Sequence, residues 1–170
     1  RDGEQTDWQD WNTYSGYYAW NELLGRLYFF RDGTSPNDLM YEDIDQSSGK
    51  IIANGESPYH GDYHIKGPIV VSPDGNHVFI GAGDIYNATT LEYENSIGME
   101  VNDAIWSEAA GLLGISQDDG HVVLTRFDEN LMPVEARKYS GTLIEAVSQS
   151  DSALIIIENQ NQFYFIEYVA

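Results

Sequence analysis

The chain has 170 residues, 42% of them hydrophobic, enough to bury a core as one domain. Its 28 acidic against 8 basic residues give a formal net charge of −20, which repels phosphate backbones and argues against nucleic acid as a partner. The absence of Cys excludes disulfides, thiolate catalysis and Cys-ligated zinc, and no run approaches the roughly 20 apolar residues of a membrane span.

Aromatic residues make up 13% of the chain, and Val, Ile and Thr are spread through short runs, so an all-β fold is expected. The chain opens at Arg1 rather than Met, which implies a processed or excised N-terminus compatible with export. With the acidic excess suited to a salty or extracellular medium, an extracellular or periplasmic location is expected.

Residues 1–18 carry Trp8, Trp11, Tyr14, Tyr17 and Tyr18. Exposed aromatics of this kind stack on sugars or fill partner pockets, so these five are the candidate binding residues. The same segment could instead supply a closing strand to the far end of the fold.

From residue 19 onward one pattern recurs four times: an apolar residue, a small polar one, a turn and a second apolar run. The apolar position is held by Trp20, Val71, Trp106 and Val147, at steps of 51, 35 and 41 residues. The polar position is held by Asn21, Ser72, Ser107 and Ser148, side chains that cap turns by bonding nearby backbone. The second runs begin at Leu27, Val78, Leu113 and Leu154, and Leu154 to Ile157 reads as a strand covered on both faces. Trp20 and Trp106, at the repeat's apolar position, are expected in the core.

After each pair comes a third strand ending in Ile44-Asp45, Tyr86-Asn87 or Phe127-Asp128, where the Asp or Asn should open a turn to a fourth strand. Four antiparallel strands recurring every 35 to 51 residues fit the propeller period of about 40–50 residues. The expected architecture is therefore a β-propeller or partial propeller of about four blades, near 19–58, 66–100, 101–140 and 141–170. The last blade stops at its third strand, in Phe163 to Ala170. A tight four-blade ring, a half-propeller that dimerises and a piece of a longer chain all fit this count, and exposed inner surfaces favour the last two.

Two stretches have metal-ligating chemistry. Asp32 to Asp38, with Glu42 and Asp43 following, offers hard oxygens suited to Ca²⁺, although Pro36 interrupts it and a polar hairpin loop is the simpler reading. His60, Asp62 and His64 combine imidazole and carboxylate in a loop between Gly61 and Pro68, and form the candidate metal set for a divalent ion. No Gly-x-Ser-x-Gly elbow and no phosphate-cradling Gly-rich loop before a helix is present.

The segments VVSPDGNHVFIGAGDIYNATTLEY and DIDQSSGKII resemble blades of the bacterial YncE-like and quinoprotein-like propeller families. That resemblance implies the fold and leaves the activity open. The functional expectation is a non-catalytic binding or scaffold module for a protein or glycan partner, needing no cofactor, as a homodimer or as part of a longer chain. The alternative is a lactonase-like hydrolase with a divalent ion in the central channel, held by acidic and His side chains.

Overall fold

A computed structural model describes residues 3–9, 15–149 and 152–169. All regular structure among them is β-strand. The first sheet holds β1 (Tyr18–Asn21), β2 (Arg26–Phe30), β3 (Leu39–Ile44) and β4 (Ile51–Glu56). The second holds β5 (Ile69–Val71), β6 (His77–Ile80), β7 (Asp84–Asn87) and β8 (Tyr93–Ser96). The third holds β9 (Asp103–Ser107), β10 (Gly111–Asp118), β11 (His121–Phe127) and β12 (Pro133–Ser140), and the fourth β13 (Thr142–Ser148), β14 (Ala153–Asn159) and β15 (Gln162–Tyr168). In every sheet each strand pairs antiparallel with the next in sequence, so the chain is four propeller blades laid side by side.

In the first three blades the repeated polar residues hold the first turn. Asn21 is buried, its Oδ1 accepting from Leu24 N–H at 3.2 Å while its Nδ2 donates to the Gly75 carbonyl of the next blade at 2.8 Å. Ser72 Oγ accepts from His77 N–H at 2.9 Å, and Ser107 Oγ from Ala110 N–H at 3.1 Å. The third-strand turns follow the expectation as well. Asp45 Oδ1 accepts from the N–H groups of Ser47 and Ser48, Asn87 Oδ1 from those of Thr89 and Thr90, and Asp128 Oδ1 from those of Asn130 and Met132. Hydrogen bonds from the Ser47 and Ser48 side chains and backbone hold the Asp45 carboxyl down at about 2.

Side chains alternate between the two faces of each strand, so each interior sheet fills two inter-blade cores. Tyr28, Phe30 and Leu39 of the first sheet pack on Ile69, Val78 and Ile80 of the second. Phe79 and Ile85 pack the other way, on Ala104, Leu112 and Phe127 of the third. Leu113, Ile115 and Leu124 then meet Ile155, Ile157 and Tyr168 of the fourth. Along the inner edge β1 packs on β5, β5 on β9 and β9 on β13.

The end sheets correct two expectations. Trp20 is 43% exposed rather than core, because it lies opposite Leu27 on the face of the first sheet that turns away from the second. Trp106, on an interior blade, is partly buried against the core between the second and third sheets. Likewise the run at Leu154 is covered on one side only: Ile155 and Ile157 are buried, whereas Leu154 and Ile156 are half-buried on the outward face of the fourth sheet.

Candidate functional site

The outward faces of the first and fourth sheets both carry exposed apolar side chains. On the first sheet, Tyr18 (74% exposed), Trp20 and Ile52 (68%) point outward. On the fourth, the register sets Phe165 opposite Ile156 and Val147 opposite Leu154 on one face; Phe165 is 67% exposed and neighbouring Phe163 60%. Chains that stay alone rarely leave sheet faces of this kind open.

Thr6, Asp7 and Trp8 lie against the first of these faces. Thr6 Oγ1 donates to the Gly49 carbonyl at 2.8 Å, and Asp7 Oδ2 accepts from Ile51 N–H at 3.2 Å. These bonds seat Trp8 over the sheet, where it joins Tyr18, Leu27, Phe29 and Glu42 around a cleft of about 540 Å³. Trp8 and Tyr18 are thus brought together. Tyr17 turns the other way and meets Phe30 edge-on at 6.1 Å between centroids. Trp11 and Tyr14 lie outside the described residues.

Tyr17 instead reaches the end of the fold where the inner strands begin. There a cleft of about 440 Å³ is lined by Tyr17, Pro68, Asp103, Thr142 and Glu145, drawn from all four blades. Asp103 Oδ2 accepts from Ala146 N–H at 3.0 Å, tying β9 to β13. Burial pushes the Asp103 carboxyl above the usual range, and the nearby Glu145 charge adds to the rise.

The metal-ligating residues regroup. His60 Nδ1 lies 3.6 Å from Asp38 Oδ2 and 3.8 Å from Glu56 Oε1, while His64 Nε2 lies 3.7 Å from Glu100 Oε1. Asp62 and His64 face a separate cleft of about 480 Å³ with Asn37 and Tyr63. Asp38, Glu56 and His60 bring their ligand atoms within 4.8 Å of one another, the one such group among the described residues. The oxygen-rich stretch before β3 does not converge. Asp32 bonds Asn37 Nδ2 and Gly16 N–H, Asp43 holds Arg26, and Asp38 remains.

Local structure explains the regrouping. Tyr63 stacks on Tyr93 at 4.8 Å, and Tyr59 Oη accepts from Tyr93 N–H at 3.0 Å, pinning the β4–β5 loop to the second blade. Gly61 has a φ of +85°, and a Cβ there would fall 2.9 Å from Pro36 Cβ, so this glycine lets the β4–β5 loop close on the β2–β3 loop. His60 is thereby set against Asp38. The residues stand 22 positions apart on different loops, so neither motif spacing nor local composition marks them as partners.

The fold and its clefts define a four-blade β-propeller array, and comparison with solved structures agrees. Hydrazine synthase from Kuenenia stuttgartiensis superposes with a TM-score of 0.59 at 16% identity, covering 84% of this chain and 43% of that one. A functionally unknown protein from Desulfotomaculum acetoxidans DSM 771 gives a TM-score of 0.50 at 13% identity, over 89% of this chain and 55% of that one. This chain spans about half the length of both, and at these identities the likeness is one of fold. No protein-family model and no curated protein matches the chain. No helix among the described residues is long and apolar enough to cross a membrane.

Proposed function

We propose that this chain is a non-catalytic binding and scaffold module, a half-ring of blades that works outside the cytoplasm by packing its first and fourth sheets against a protein partner. The observation that carries this reading is the pair of exposed apolar end faces, around Tyr18, Trp20 and Ile52 at one end and Val147, Phe163 and Phe165 at the other. Aliphatic and aromatic side chains spread over a sheet suit another sheet better than a sugar ring, which needs directional hydrogen-bonding groups around it. The partner is a second copy of the half-ring, the arrangement in which two equal arcs cover each other's ends. Kinship with the YncE-like and quinoprotein-like propellers that the blade motifs resemble belongs to the same reading.

Light scattering behind size exclusion, over a hundredfold range of concentration, tests it. The expected result is a species of twice the chain mass that Phe165→Asp or Trp20→Asp returns to one chain mass, both sites being exposed enough for the fold to tolerate a charge. A single-chain mass throughout, or an assembly indifferent to both substitutions, would overturn the proposal.

A further inference from the structure

We propose that Asp38, Glu56 and His60 form a divalent-cation site of the zinc type, at the rim of the first blade between the β2–β3 and β4–β5 loops. The first observation is the cluster itself, one imidazole nitrogen and two carboxylate oxygens from two separate stretches of chain, Asp38 before β3 and the Glu56–His60 pair at the end of β4. The second is independent of it. The Asp38 side chain is 1% exposed, and both of its carboxylate oxygens are buried without a hydrogen-bond partner. A buried carboxylate without hydrogen bonds is costly to keep and calls for a positive charge close by.

One guanidinium already meets the cluster, but at Glu56 and not at Asp38. Arg31 Nη1 donates to Glu56 Oε2 at 3.1 Å, and its Nε donates to Thr34 Oγ1 at 3.1 Å. That leaves Glu56 Oε1 turned toward His60, on the same side as Asp38 Oδ2. Separations of 3.6 and 3.8 Å are too long for hydrogen bonds. They are close to the spacing of about 3.3–3.6 Å that tetrahedral coordination at about 2.0–2.2 Å imposes on its ligand atoms.

The donor set also selects the ion. Calcium takes six to eight oxygens, whereas an imidazole with two carboxylates suits zinc and its first-row neighbours and leaves a coordination position open to water or a ligand. The adjacent Asn37 Oδ1 is a further buried oxygen without a hydrogen-bond partner, beside the two of Asp38. A bound ion would neutralise Asp38 and fasten the β2–β3 loop to the β4–β5 loop, on the same end of the blade as the start of the inner strand β1.

The simplest competitor is a protonated His60 that serves Asp38 as counter-ion. Calorimetric titration of the chelator-treated chain with ZnCl₂, then with CaCl₂, separates the two, with thermal melting as a second readout. The expected result is one Zn²⁺ per chain, a higher Tm with zinc, and Ca²⁺ at least tenfold weaker. Asp38→Asn and His60→Ala should each weaken zinc at least tenfold, whereas Asp62→Asn and His64→Ala should leave it unchanged. His60 is 64% exposed, so His60→Ala keeps the test sound even if the Asp38 variant folds poorly. Absence of saturable zinc binding, equal affinity for calcium, or loss of zinc through His64 or Asp62 instead of Asp38 and His60 would overturn the site.

Discussion

Arg26 shows how a single side chain can join two blades. Its Nε and Nη2 donate to the two oxygens of Asp43 at 2.6 and 2.9 Å, within the first sheet. Its Nη1 reaches across to the carbonyls of Ala88 and Thr89 in the β7–β8 turn of the second blade, at 3.1 and 2.7 Å. The guanidinium also lies 3.7 Å over the centre of the Tyr41 ring. Only a planar fork with several donors satisfies all of these at once. Arg26→Ala leaves Asp43 and the Thr89 carbonyl short of partners, the Ala88 carbonyl keeping the Tyr28 hydroxyl at 2.6 Å, and should lower unfolding free energy by about 3 kcal/mol in urea titration. Arg26→Lys keeps the charge but cannot span both sheets, and should fall between the two. A lysine variant as stable as the parent would show that charge alone suffices. The sequence does not mark Arg26, which stands just before the apolar run at Leu27, because its partners near residue 88 lie in the next blade.

At the scale of strands and turns, what was legible depended on how local the cause was. The Asp45, Asn87 and Asp128 turns were readable because each side chain caps backbone two to four residues ahead. Blade count and strand order were readable because one apolar-turn-apolar pattern repeats. The exposure of Trp20 and the pairing of His60 with Asp38 were not, since both depend on which sheet or loop stands opposite. Gly81 belongs to this second class. It lies between β6 and β7, donates its N–H to the Pro68 carbonyl at 2.8 Å and accepts from Val101 N–H at 2.9 Å. In this way it ties the approaches to β5 and β9 together. A Cβ there would run into the Gly67 carbonyl and the Pro68 ring, backbone that cannot move without shifting an inner strand. Gly81→Ala should therefore cost about 3 kcal/mol. Gly16→Ala, where a Cβ meets nothing within 4 Å, is the matched control and should be near neutral. Equal melting temperatures for the two variants would show that the 67–68 segment yields easily.

For the molecule as a whole, charge is the dominant unbalanced quantity. Arg26, Arg31, Lys66, Arg126 and Arg137 are in ion pairs with carboxylates, yet the formal net charge remains −20. Like charges spread over a folded surface repel one another more strongly than in the expanded chain, so they work against the compact state. Screening relieves this, since the Debye length falls from about 30 Å at 0.01 M salt to about 3 Å at 1 M. The paired residues respond in the opposite sense, but exposed pairs contribute only about 0–1 kcal/mol each. The excess of acidic groups should decide the sign. Scanning calorimetry in NaCl is expected to show a Tm that rises by several degrees between these limits at pH 7. The increment should shrink as the pH approaches about 4, where carboxylates take up protons. In the proposed dimer the same screening would let two chains, each carrying this charge, approach through their apolar end faces, so that assembly should tighten with salt alongside Tm. A Tm that falls with salt at pH 7 would mean that specific ion pairs, and not the overall acidity, govern the stability of this propeller.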